Sequence, residues 1–221
     1  MTRAVLLDAL GTLVELRPPG PRLRRVLAGE GFEVSEERAA AGFAAEIAYY
    51  LDHHLEGSDP AALDDLRDRC AEALMEGLGV QGLGHATARR AMLASLEFAA
   101  YPDAEPALRT LRERGLRLVI ASNWDCSLPD FLGPTGLLGL VDGVVTSAAA
   151  GAAKPAPAVF ERALALARVE HGEAVHVGDS LLNDVEGARA AGIRALLVTR
   201  EGPAPAGVQA MGSLAELPAL V

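Results

Sequence analysis

Asp8 directly follows the apolar run 4–7, and Gly11 and Thr12 break that run just beyond it. A carboxylate at the end of a buried strand is costly unless it is paired or bound to a cation. Later apolar runs end in the same way. RLVIA runs into Ser122 and Asn123, VDGVVTS leads to Lys154, and AVHV runs into Gly178, Asp179 and Ser180, with Asn183 and Asp184 close behind. If these runs are parallel strands of one sheet, their polar ends share one edge, where such sheets bind ligands. That edge collects carboxylates, a hydroxyl and an ammonium. Lys154 is the single lysine in a chain that otherwise uses arginine, which marks it for a task needing a compact ammonium rather than a planar fork. Taken singly, Asp8 reads as a turn cap, and Asp179 and Asp184 as helix caps.

The elements that must position these residues alternate. The run at 4–7 is apolar throughout, as a strand buried on both faces requires. Prolines and a glycine at 18–21 make a connector, beyond which a helix is expected at 22–28. Ser35 is a good N-cap for a second helix, and Asp59 before Pro60 for a third. A fourth is expected at 86–98. Four helices without an intervening strand read as a small bundle, with Tyr49 and Tyr50 packed inside and His53 and His54 ending a helix in solvent. Tyr101 and Pro102 close the segment. Strands are then expected at 117–121, 141–146, 174–177 and 194–199, with helices between them. This is an α/β doubly wound parallel sheet with an all-helical insertion. The core is assigned to residues 1–15 and 101–221, and the insertion to residues 16–100.

Composition narrows the function. The 221 residues are half apolar and carry a formal net charge of -10. No basic patch is available to displace phosphate counterions, which argues against nucleic acid as partner. A small anionic substrate is still compatible, because it responds to the local field of a cleft. Asp8 interrupts the first apolar run too early for a secretory leader, and no uncharged stretch is long enough to span a bilayer. Cys70 and Cys126 lack metal-ligand spacing and read as thiols of a cytoplasmic protein.

The motifs resemble those of the haloacid dehalogenase superfamily. LLDALGTL matches the nucleophile motif, VIASN the hydroxyl motif, KPAPAVF the lysine motif and HVGDSLLND the acidic motif. Four motifs in order on matching strands form a specific signal. KPAPAVF and HVGDSLLNDVEGARAAG look most like the haloacid dehalogenase-like hydrolase domain-containing proteins. The resemblance implies a helical cap on the core and a hydrolase acting through an aspartyl-phosphate on Asp8. It implies Mg²⁺ held by Asp8, the carbonyl of Leu10, and Asp179, with Asp184 behind them or acting through water. Ser122 and the backbone N–H of Asn123 would bind phosphoryl oxygens, and Lys154 would neutralise the charge shared by Asp8 and a small phosphorylated substrate.

One position departs from the phosphatase pattern. Where most phosphatases of the superfamily carry a second Asp, two residues after the nucleophile, this chain has Leu10. Loss of a general acid–base group typically costs ~10²–10⁴-fold. The expected enzyme is therefore slow, restricted to good leaving groups, or supplied with an acid by Tyr49, Tyr50, His53 or His54. A 2-haloacid dehalogenase also lacks the second Asp, but usually carries Tyr at this place and a different acidic motif. A non-catalytic protein binding a phosphorylated ligand or a partner is the third reading. The sequence holds no motif for the substrate or the oligomeric state.

Overall fold

The computed structural model describes residues 1–200 and 202–221. The chain divides into two compact units, Met1–Glu15 with Ala99–Val221, and Leu16–Phe98.

The elements follow in chain order. Strand β1 (Ala4–Leu7) leads to β2 (Val14–Leu16) and then to helices α1 (Pro19–Gly29), α2 (Glu36–His53), α3 (Pro60–Leu78) and α4 (His85–Ser95). After β3 (Phe98–Ala100) come α5 (Ala104–Glu113), β4 (Arg117–Ser122), α6 (Leu128–Leu132), β5 (Gly143–Thr146), α7 (Ser147–Ala150) and α8 (Ala158–Ala167). Strand β6 (Ala174–Gly178), a π-type turn at Leu181–Glu186, α9 (Gly187–Ala190), β7 (Arg194–Val198), β8 (Ala210–Met211) and α10 (Leu217–Leu220) complete the chain.

The expected doubly wound sheet is present. Six strands lie in the order β5-β4-β1-β6-β7-β8, and every neighbouring pair is parallel. From β1 the chain winds outwards through β4 to β5, then crosses to β6 on the other side of β1. The winding therefore reverses beside β1, the point at which open α/β sheets bind ligands. Strands β1 and β6 are buried along their whole length. On one face Leu6, Val119, Ala121 and Val145 pack with Val159, Phe160, Ala163 and Leu164 of α8. Alternation sends Val5, Leu7, Leu118 and Ile120 to the opposite face, and all four are fully buried. The tail adds β8 as an edge strand on β7.

The helical unit is built on α2 and α3. Ser35 accepts from the backbone N–H of Arg38, and Asp59 from those of Ala61 and Ala62, so both expected N-caps are in place. Phe43, Leu66, Cys70 and Leu74 form part of its core. Cys70 and Cys126 form no disulfide.

Three local expectations change. Helix α1 begins inside the proline cluster rather than beyond it, because Pro19 occupies the first turn, where a missing N–H costs nothing. The fourth helix stops at Ser95, and Phe98–Ala100 is a strand paired with β2. His54 is buried rather than in solvent, and its Nδ1 lies 3.0 Å from the Leu51 carbonyl. Among the described residues no helix is long and apolar enough to cross a membrane.

Candidate active site

The polar strand ends meet as the topology requires. Asp8, one residue past β1, is 6% exposed. Its Oδ1 accepts from Ser122 Oγ at 2.9 Å and from Lys154 Nζ at 2.7 Å. Lys154 Nζ donates equally to Asp184 Oδ1, at 2.6 Å. A single buried ammonium is thus shared by two buried carboxylates. Burial works against the Lys154 charge, but the charges of Asp8 and Asp184 outweigh it and hold the amine above its ordinary range. For Asp8 burial dominates and, with the Asp184 charge, raises the carboxyl despite Lys154.

Asp184 is held from three sides. Besides Lys154, it accepts from the backbone N–H of Ser180 at Oδ2, 2.9 Å, and lies 2.8 Å from His176 Nε2 through Oδ1. Burial alone would raise this carboxyl. The His176 bond and the Lys154 charge override it and keep Asp184 well below the usual carboxylate range. The π-type turn returns Asp184 toward β6, and Gly178 makes room for it. A Cβ at Gly178 would stand 2.1 Å from the Asp184 Cγ.

Asp179 is the accessible member of the group. Oxygens of Asp8, Asp179 and Asp184 all lie within 4.8 Å of one another. Restricted hydration and the Asp8 and Asp184 charges push Asp179 up to about 6, although part of the residue reaches solvent. Its carboxylate rests on Gly11, where a Cβ would stand 2.2 Å from Asp179 Oδ2. Gly11 also has φ +80°, which an L side chain resists.

The Asn123 side chain is engaged with the Lys154 backbone. Its side-chain Oδ1 accepts from the Lys154 N–H at 2.7 Å, and its Nδ2 donates to the Lys154 carbonyl at 3.0 Å. The Ser122 hydroxyl donates to Asp8. Leu10 is 43% exposed and can neither give nor take a proton. Sequence reasoning missed His176, which is fully buried, meets Phe160 edge-on and has its Nδ1 without a hydrogen-bond partner among the described residues. A histidine interrupting the apolar run AVHV was the available signal.

The four acids considered in the helical unit are engaged within it. His53 Nδ1 lies 2.8 Å from the Tyr49 carbonyl, the two rings stack at 4.1 Å, and Arg69 Nη1 donates to the Tyr49 hydroxyl at 3.2 Å. The rings of Tyr50 and His54 meet at 5.9 Å. Glu46, not singled out from sequence, is 5% exposed, and burial pushes its carboxyl up to about 7.

Comparison with known proteins converges on one family. The model of the haloacid dehalogenase-like hydrolases matches residues 2–192. Haloacid dehalogenase-like hydrolase domain-containing protein 3 of Bos taurus is 48% identical over 102 residues, 46% of this chain and 40% of that protein. The phosphoserine phosphatase of Thermus thermophilus is 36% identical over 133 residues, covering 58% of this chain and 52% of the relative. In both cases the match spans about half or less of the relative's length. The L-2-haloacid dehalogenase of Xanthobacter autotrophicus superposes with a TM-score of 0.74 over 100% of this chain and 98% of its own, at 23% identity, a likeness of fold alone.

Proposed function

The chain belongs to the haloacid dehalogenase-like hydrolase family, and from that premise we propose that it hydrolyses small phosphoric monoesters with Mg²⁺ as cofactor. The charge balance of the site carries this reading. Three carboxylates face one ammonium, which leaves two negative charges within a few ångströms. A divalent cation cancels them, and the all-oxygen donor set suits a hard ion such as Mg²⁺. Asp8, the Leu10 carbonyl and Asp179 would hold it. Asp184, already engaged by three donors, stands behind them. When bound, the ion supplies the neutralisation that lets two anions, carboxylate and phosphate, approach each other.

The chain's own groups do the rest. Asp8 is the nucleophile: a bond forms from its oxygen to phosphorus as the bond to the leaving oxygen breaks, and that oxygen departs with the electron pair. Oδ1 is held by Ser122 and Lys154, which leaves Oδ2 as the attacking oxygen. Lys154 keeps its proton and offsets the charge on Asp8 and the phosphoryl group. The Ser122 hydroxyl turns from Asp8 to a phosphoryl oxygen, joined by the N–H of Asn123. Asn123 fixes the Lys154 backbone, and His176 fixes Asp184. Water then attacks phosphorus, the bond from phosphorus to the Asp8 oxygen breaks, and Asp8 leaves as its carboxylate. One proton of the water stays on the released phosphate, and the other passes through solvent to the departed oxygen. Leu10 leaves departure of the leaving group unassisted, so good leaving groups are favoured.

The relationship to the Thermus phosphoserine phosphatase supports a phosphorylated metabolite as substrate. Phosphate release from a panel of aryl and alkyl phosphates, with Mg²⁺ and with EDTA, tests the reading. A chloroacid in the same panel separates it from a dehalogenase, which would release halide without metal. Binding of phosphate with no turnover of any ester would assign the chain to ligand binding instead.

A further inference from the structure

Arg200, two residues beyond β7, belongs to none of the four motifs. Among the described residues its guanidinium makes four hydrogen bonds. Nε donates to the Gly11 carbonyl at 3.2 Å, and Nη2 to the Thr12 carbonyl at 2.6 Å. Nη1 and Nη2 each donate to one oxygen of Asp103, both at 3.2 Å. The Arg200 Cζ also lies 3.4 Å from the centroid of the Tyr101 ring. Asp103 is held in turn by the Ser213 hydroxyl at 2.6 Å and the Leu214 N–H at 2.8 Å.

We propose that Arg200 is a positioning residue for the metal-binding loop, fixing from beneath the turn that presents the Leu10 carbonyl and supports Asp179. This rests on the Mg²⁺ reading above. Two successive carbonyls, Gly11 and Thr12, converge on one cation only because the chain turns sharply at Gly11. Holding the Gly11 carbonyl fixes the plane of the next peptide unit. Together with the positive φ at Gly11, it orients the preceding unit, whose oxygen is that of Leu10. The same Gly11 is the surface on which the Asp179 carboxylate lies. Arg200 thus couples two of the three groups assigned to the ion without touching the ion itself. The geometry requires a guanidinium. A planar fork reaches two carbonyls and a carboxylate at once, whereas a lysine ammonium is a point donor that cannot span them.

The test is calorimetric titration of Mg²⁺ into the parent, Arg200→Lys, Arg200→Gln and Ser213→Ala, well below each melting temperature and with folding checked by near-UV circular dichroism. Ser213→Ala removes a bond to Asp103 but leaves the loop contacts, and so controls for general destabilisation. Groups that orient metal ligands typically cost about 10–100-fold in affinity when lost. The Arg200 variants should bind Mg²⁺ at least about tenfold more weakly, with Ser213→Ala within about twofold of the parent. In turnover, the Mg²⁺ requirement of Arg200→Lys should rise while kcat at saturating Mg²⁺ largely recovers. Arg200 variants that bind Mg²⁺ as the parent does, or no more weakly than Ser213→Ala, overturn the proposal. A parent that does not bind Mg²⁺ overturns the phosphatase reading itself, and this inference with it.

Discussion

Asn123 grips Lys154 by its backbone: the side-chain amide accepts from the Lys154 N–H at 2.7 Å and donates to its carbonyl at 3.0 Å. The ammonium at the other end of Lys154 is thereby delivered between Asp8 and Asp184 with its main chain already fixed. One amide ties the end of β4 to the loop after α7, matching a peptide group in both directions.

Asn123→Ala should therefore act through Lys154. It leaves a backbone N–H and a carbonyl without their partner, at a cost of about 1–3 kcal/mol each if no water replaces the amide. Phosphatase kcat is expected to fall by about 10²-fold with KM changed little. Asn123→Asp keeps an acceptor for the N–H but faces the Lys154 carbonyl with an anion, so it should be no better. Steady-state kinetics and thermal melts check both variants; parent-like kcat in Asn123→Ala would remove this role.

If Asp179 holds the ion as proposed, its carboxyl should set a pH dependence for metal binding. Its carboxyl, at about 6 in the folded chain, lies above its ordinary value of 3.8. A raised carboxyl stabilises the fold below the unfolded value, and this contribution is lost as pH rises through about 6. Without metal, the protein should lose stability across that window. On the Mg²⁺ reading the ion takes the ionised form, so the stabilisation it brings should grow between about pH 5 and pH 7. Melting curves in EDTA and in excess Mg²⁺ across this range make the comparison. An increment that does not change with pH would contradict the assignment of Asp179.

Glu46 gives a second pH effect, confined to the helical unit. Burial raises its carboxyl from 4.5 to about 7. Stability from this group is present below pH 4.5 and lost as pH rises through about 7. The full shift corresponds to roughly 3 kcal/mol at alkaline pH. Glu46→Gln, neutral and similar in shape, should raise Tm by several degrees at pH 8 and leave it nearly unchanged at pH 5. An equal effect at both values would show that the carboxyl is not desolvated.

Much of the candidate site is legible in the sequence because Asp8, Ser122 and Asp179 end or directly follow apolar runs and Lys154 is the single lysine. Asp8, Ser122, Lys154 and Asp179 sit where parallel strands must share an edge, and Asp184 follows one turn later. Other features depend on tertiary pairing. The His176 ring is recruited by Asp184 eight positions later, and Arg200 meets Gly11 across the whole core. The pairing of β2 with β3 joins segments separated by the entire helical unit, and neither segment has more than three residues from which to read a period. His54 looked like the polar end of a helix, but it begins a 3₁₀ turn that folds it inward.

Leu10 makes a prediction about leaving groups. Without an acid, the rate should fall steeply as the leaving-group pKa rises. Leu10→Asp should flatten that dependence and help alkyl esters more than aryl ones, within the ~10²–10⁴-fold range of general acid catalysis. The gain should be partial, since a catalytic carboxylate must also be held in position. A parent that hydrolyses alkyl and aryl phosphates at the same rate would contradict this account of Leu10.

The most direct measurement is turnover of an aryl phosphate by the parent and by Asp8→Asn, each with Mg²⁺ and with EDTA, alongside halide release from a 2-chloroacid. The account predicts phosphate release by the parent in Mg²⁺, its loss in EDTA and in Asp8→Asn, and no halide. Halide release without Mg²⁺, or phosphate release that persists in Asp8→Asn, would contradict it.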